Sequence, residues 1–223
     1  MKLETYPDRD LMVMGLADAL ASDLNAALTG NESVSFCVPG GTSPGPVFDV
    51  LSAVRLDWER VTVFPGDERW VPESSDRSNG RQVRARLLQG RAAAARFLPL
   101  YAATPGPEEA VEALAEAIAP HLPISVLLLG MGADMHTASL IPGADRLAEA
   151  LAPDAPPLVP IRTPGLSEPR VTLSAPVLAG AMVTHLMITG AEKRAALERA
   201  QTLPPEEAPV RAVLANATVH WAE

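Results

Sequence analysis

With 223 residues, 48% of them hydrophobic and 20% charged, the chain is long enough to bury a sizeable core, and we expect one domain over residues 1–223. Its formal net charge of −9 argues against a general attraction to nucleic acid or to an anionic membrane surface, so an anionic ligand would have to be held locally. Cys37 is the only cysteine, which excludes an internal disulfide and a cysteine-rich metal framework and fits a reducing cytoplasm.

The opening MKLETYPDRD is acidic early, and the apolar stretch from Leu11 to Leu28 is interrupted by Asp18 and Asp23, so we expect neither a signal peptide nor a membrane span. Leu11, Met14, Leu16, Leu20, Leu24 and Leu28 recur at roughly helical spacing and Gly30 follows as a stop, which predicts an amphipathic helix over Asp10–Leu28. VSFCV at 34–38 is the first predicted strand, and PGGTSPGPVF follows it. Glycines permit close backbone approach, and a helix starting at Pro44 with Ser43 as its cap would aim free N–H groups and a positive dipole end outward. That composition makes an anion cradle, although a capped turn without any ligand uses the same letters. Gly41-Thr42-Ser43-Pro44-Gly45 also fits the G-x-S-x-G nucleophile elbow. There the residue after the serine must donate its N–H to an oxyanion, and Pro44 has none.

RVTVF at 60–64 is the next strand, followed by PGDERWVPESSDRSN, which sets Asp67, Glu68 and Arg69 side by side at a strand end with Asp76, Arg77 and Asn79 soon after. So dense a group of charges suggests a site, against the alternative of a solvated loop tied by surface ion pairs. Helix-like stretches occur near 44–55, 78–88 and 107–119, before the strand ISVLLL at 124–129. After that strand comes GMGADMHTASLIPG. Gly130-x-Gly132 opens like a dinucleotide fingerprint, but its sixth position is Met135. Asp134 and His136 say more, because a carboxylate beside an imidazole fixes its tautomer and leaves a base that titrates near working pH. His121 at a helix end and His185 and His220 in strands are expected to be structural.

A proline-rich stretch at 151–169 separates elements rather than domains, and the strands RVTL (170–173), VTHLMIT (183–189) and ATVHW (217–221) follow, with helices near 191–200 and 206–215. Lys193 falls in the first turn of a helix, where a cation opposes the dipole unless an anion is bound there. Strand and helix alternate throughout, which predicts an α/β fold with a mostly parallel sheet covered on both faces. Ligands of such sheets bind outside the carboxyl ends of the strands. No H-E-x-x-H, paired-cysteine or calcium-loop pattern is present, so no metal is expected.

Taken in order, PGGTSP, GDERWVP with the later SN, LLLGMGADMHTASLIPG, RVTLSAPVL and ITGAEK resemble the 6-phosphogluconolactonases of the pentose phosphate pathway over nearly the whole chain. The resemblance implies a Rossmann-like fold, hydrolysis of 6-phospho-D-glucono-1,5-lactone to 6-phosphogluconate, no required cofactor, and a cytoplasmic monomer acting on a small sugar-phosphate lactone. His136 is the expected general base, oriented by Asp134 or Asp67, with Arg69 on the developing oxyanion. Gly40, Gly41, Thr42 and Ser43 would hold the phosphate, with Lys193 and Arg170 supplying positive charge. The alternatives are a glucosamine-6-phosphate type isomerase or deaminase and a non-catalytic sugar-phosphate binding protein. Two positions depart from the family pattern: Met135 stands where glycine is usual before the histidine, and Ile141 where phenylalanine is usual before the proline. If that glycine serves a left-handed backbone, methionine costs roughly 1–2 kcal/mol there, and its side chain could narrow the pocket.

Overall fold

The computed structural model describes residues 1–223. The first half runs β1 (Lys2–Thr5), α1 (Arg9–Gly30), β2 (Val34–Val38), α2 (Gly45–Ser52), β3 (Val61–Pro65), β4 (Asp67–Arg69), α3 (Asn79–Arg86), β5 (Arg96–Phe97) and α4 (Val111–Ile118). The second half runs β6 (Val126–Gly130), α5 (Leu147–Leu151), β7 (Leu158–Ile161), β8 (Arg170–Leu173), α6 (Ala175–Ala179), β9 (Val183–Thr189), α7 (Gly190–Ala200), α8 (Arg211–Leu214) and β10 (Ala217–Ala222). Seven strands form one parallel sheet in the order β1-β10-β9-β6-β2-β3-β5.

The central strands are apolar on both faces because both are covered, as a parallel sheet requires. Alternate residues of β6 divide between two cores. Val126 and Leu128 pack with α1, Phe36, Phe48 and Leu51, whereas Leu127 and Leu129 pack with Leu186, Leu197, Leu178 and Leu147. The long helix α1 is capped by Asp8, whose carboxylate accepts the Leu11 N–H, and ends at Asn31. Its length and composition would suit a bilayer, yet it buries Met12, Leu16, Ala17, Leu20, Leu24 and Leu28 against the sheet and α2. Of the predicted apolar stripe, Leu11 and Met14 are instead 50% and 57% exposed, and Met12 takes the core position. Leu20 is fully buried, so Leu20→Ala should cost about 2–5 kcal/mol in denaturant unfolding.

Chain order reverses direction between β2 and β6, since β2 continues outward to β3 and β5 while β6 starts the half that ends with β10 and β1. A crevice at the carboxyl ends of β2 and β6 follows from that switch. A second, antiparallel sheet, β4-β8-β7, closes over this edge. The two sheets are joined at Gly66, whose N–H donates to the Val38 carbonyl of β2 and whose carbonyl accepts the Leu173 N–H of β8. β7 was hidden in the proline-rich stretch. It is an edge strand of three-stranded geometry, and Pro160 within it is tolerated only because an edge need not donate on both sides. The predicted helix near 206–215 contracts to Arg211–Leu214 after a series of turns.

Candidate functional site

One pocket of about 220 Å³ occupies the switch point. The turn after β2 contributes Pro39, Gly40, Gly41 and Ser43, the end of β6 and the loop after it contribute Gly130, Gly132 and His136, and β4, β8 and α7 bring Asp67, Arg69, Arg170 and Lys193. The polar segments after three neighbouring strands of the large sheet thus converge with the two charged strands of the small one. Thr42 and Asp134 do not line this pocket.

The turn after β2 reverses at Gly41, with φ +81°, a value that suits glycine. Gly40 is needed for a different reason. A Cβ there would lie 2.0 Å from Cγ of Asn79, so the turn rests directly on that side chain. Ser43 does not cap α2: the cap position is Pro44, no side chain bonds the first turn, and the Ser43 hydroxyl is left at the pocket.

In the loop after β6, His136 Nδ1 lies 2.5 Å from Asp134 Oδ1, and the same oxygen accepts the His136 backbone N–H at 3.2 Å. An ionised carboxylate can only accept, so Nδ1 carries a proton, and in the neutral ring Nε2 keeps its lone pair. Burial raises the Asp134 carboxyl, but the charge of a protonated His136, the two hydrogen bonds from His136 and one from the backbone of Asp134 itself outweigh it and leave Asp134 below its ordinary value. Gly132 makes the pairing possible, because a Cβ there would sit 2.3 Å from Nδ1 and 2.4 Å from Asp134 Oδ1. Met135 has φ +66° and Ala138 φ +49°, so the loop holds two non-glycine residues in the left-handed region. The Met135 side chain packs against the core rather than entering the pocket, so it does not narrow it.

Asp67, the other acid considered as a partner for His136, is turned elsewhere. Its Oδ2 accepts from Ser139 Oγ at 2.5 Å and lies 3.7 Å from Arg170 Nη1, and its Oδ1 accepts from Asn79 Nδ2 at 3.3 Å. Arg69 donates through Nη1 to the Arg77 carbonyl at 2.6 Å and to Asn79 Oδ1 at 3.4 Å. Arg69 and Arg170 both line the pocket, and each keeps a buried Nε without a protein acceptor. Burial disfavours the Arg170 cation and leaves it below its ordinary value, with Asp67 offsetting only part of this.

The sequence underrated Asn79, Glu68 and Ser139. Period-2 alternation along β4 sends Asp67 and Arg69 to the pocket and Glu68 away from it, a division that shows only once β4 has paired with β8. The remaining histidines behave as expected. His185 and His220 are buried in β9 and β10, within a chain of hydrogen bonds from Asp23 to Tyr6. His121 closes the short helical turn after α4.

The architecture has counterparts among known proteins. A 6-phosphogluconolactonase from Shewanella baltica superposes with a TM-score of 0.96 at 30% identity, covering 100% of this chain and 98% of that one. The 6-phosphogluconolactonase of Mesorhizobium japonicum is 40% identical, covering 97% of this chain and 93% of the relative. That of Pseudomonas aeruginosa is 44% identical, with 93% and 89% covered. Residues 7–221 match the family described as glucosamine-6-phosphate isomerases/6-phosphogluconolactonase, and the chain belongs to that family.

Proposed function

We propose that the protein hydrolyses 6-phospho-D-glucono-1,5-lactone to 6-phosphogluconate with water activated by His136. The observation that carries this reading is the placement of a free imidazole Nε2, backed by Asp134, in the same pocket as a glycine turn and three cationic side chains. The lactonase names of relatives at 40% and 44% identity favour it over the isomerase branch of the family.

A lactone is an activated ester, so it needs no covalent intermediate. Water attacks the ring carbonyl carbon while Nε2 of His136 takes one of its protons, a transfer typically worth about 10²–10⁴-fold. Asp134 holds the resulting imidazolium, and Arg69 faces the negative charge that grows on the carbonyl oxygen. Collapse of the tetrahedral species breaks the bond to the ring oxygen, which receives the proton back from Nε2. The product is a hydroxy acid that ionises at neutral pH. The phosphate is held by Gly40, Gly41 and Ser43 with Lys193 and Arg170, and this remote contact positions the reacting carbonyl. Asp67 serves the arrangement by fixing Arg170 and Ser139 rather than by touching the base. Thr42 contributes its carbonyl to the turn, where it accepts the Gly45 N–H.

The decisive measurement is the rate of lactone opening, followed by pH-stat titration or NMR, against the spontaneous rate in the same buffer. We expect strong acceleration by catalytic amounts of protein. Binding of 6-phosphogluconate without acceleration would make the protein a sugar-phosphate binder instead, and ammonia release from glucosamine-6-phosphate would make it a deaminase.

A further inference from the structure

Glu68 is 1% exposed, charged, and absent from the pocket. A carboxylate in such a place costs several kcal/mol unless donors surround it, and here they do. Oε1 accepts the backbone N–H groups of Arg69 at 2.9 Å and Asn79 at 2.7 Å. Oε2 accepts the Gly80 N–H at 2.7 Å and the Ser78 hydroxyl at 3.1 Å. One side chain thereby ties β4 to the first turn of α3, two elements that approach the pocket from different directions. Burial raises the Glu68 carboxyl, and its bonds to Gly80, Asn79 and Arg69 oppose that rise.

What the tie holds is Asn79, itself 2% exposed. The Asn79 amide donates to the Asp67 carbonyl at 2.9 Å and to Asp67 Oδ1 at 3.3 Å, and its oxygen accepts from Arg69. The Gly40 turn rests on its other side. Asn79 therefore touches the two charged residues of β4 and the glycine turn together, and a shift of its backbone would move the anion seat relative to Arg69.

We infer that Glu68 is a positioning residue: through its four hydrogen bonds it sets the place of Asn79, and through Asn79 it fixes the spacing between the glycine turn and the Asp67–Arg69 wall. This inference rests on the reading of the pocket given above. A glutamine cannot replace the carboxylate, because its NH₂ would confront N–H donors.

The test is a double-mutant cycle of Glu68→Gln with Asn79→Ala, read at a temperature where melting curves show every variant folded. Expected is a loss of kcat/KM of about tenfold to a hundredfold for each single variant, the range that misplacement of a reacting group brings. The double variant should lose no more than about twofold beyond the worse single, since both changes act through one contact. A residue that only supports stability would leave kcat and KM of the folded variant within twofold of the parent, and that outcome overturns the inference. So does a double variant whose loss is the product of the two singles. Should Glu68→Gln yield no folded protein, Glu68→Asp enters the same cycle with the same criteria, because its shorter carboxylate keeps the charge but cannot reach both elements. If the parent opens no lactone, the reading of the pocket has failed. The inference is then tested by the same cycle on the Kd of 6-phosphogluconate, or of inorganic phosphate if that ligand does not bind.

Discussion

Two imidazole–carboxylate pairs occur in this molecule, and their chemistry is alike while their surroundings differ. His136 meets Asp134 at 2.5 Å and His185 meets Asp23 at 2.8 Å. In the interior pair every ring nitrogen is engaged: His185 Nδ1 bonds His220 Nε2 at 2.9 Å, and His220 Nδ1 bonds the Tyr6 hydroxyl at 2.8 Å. His185 and His220 are 4% and 2% exposed. At the crevice only Nδ1 is used, and the His136 side chain is 35% exposed. The pair by itself is therefore no signature of catalysis. What separates a base from a strut is a ring nitrogen left free at a strand's carboxyl end, as against a ring saturated in the middle of one.

The largest effects should fall on opposite observables in the two regions. His136→Ala should lower kcat for lactone opening by about 10²–10⁴-fold while 6-phosphogluconate still binds and the melting temperature hardly moves. Near-parental turnover would remove His136 as the base. In the interior the response should be to acid. Burial, with the nearby His185 charge adding to it, pulls His220 from 6.5 down to about 4, so the unfolded chain takes up this proton first as pH falls. Stability from this group is intact above about pH 6.5 and is lost as pH drops toward 4, by about 3 kcal/mol in all. Unfolding in denaturant at pH 7, 5.5 and 4 should show His220→Asn with a flatter acid dependence than the parent. Equal slopes would mean that the imidazole is not held neutral.

A third comparison concerns what faces each pair. The glycine turn and Lys193 share the pocket of His136, whereas both nitrogens of His185 and of His220 are taken up within the chain that runs from Asp23 to Tyr6. Lys193→Ala should raise KM for the phosphorylated lactone by about tenfold, the lower end for a lost charge-assisted hydrogen bond. An unphosphorylated lactone should be little affected. Equal losses on both substrates would move Lys193 from the phosphate to the reacting end.

The difference between the regions also explains what could be read in the sequence. β2, β6, β8 and β9 were legible within two residues because largely buried strands show as short, mostly apolar and β-branched runs with turn residues after them. The strand-end segments were legible for the complementary reason: Gly40, Asp134, His136 and Lys193 interrupt that apolarity with groups that packing does not need. What escaped was whatever depends on a partner far away in the chain. Glu68 looks like one more charge in a charged loop until α3 folds against it. β4 and β7 are too short or too proline-bearing to be read alone, and each exists only because β8 lies between them. Asp67 and Asp134 could not be ranked by spacing, since only the folded loop after β6 shows which acid meets the ring.

The smallest predicted effect concerns the backbone under the His136–Asp134 pair. His185 and His220 stand on regular strands, but His136 follows a methionine at φ +66°, a conformation that costs a side-chain-bearing residue roughly 1–2 kcal/mol. Met135 is held there from three sides: its N–H donates to the Gly132 carbonyl, its carbonyl accepts from Val210, and its side chain packs on the core. Replacing it by glycine alone would mix relief of strain with loss of that packing, so the informative contrast is between glycine and alanine, which lose the same packing. At an ordinary position alanine is the more stable of the two by about 0.5–1 kcal/mol. At a left-handed one the order inverts, and Met135→Gly should exceed Met135→Ala by about 1 kcal/mol in denaturant unfolding. The reverse order would show that the loop relaxes to negative φ, in which case the alignment of His136 with Asp134 would not depend on this backbone. Because the methionine side chain lies outside the pocket, both variants should keep kcat for lactone opening within about threefold of the parent.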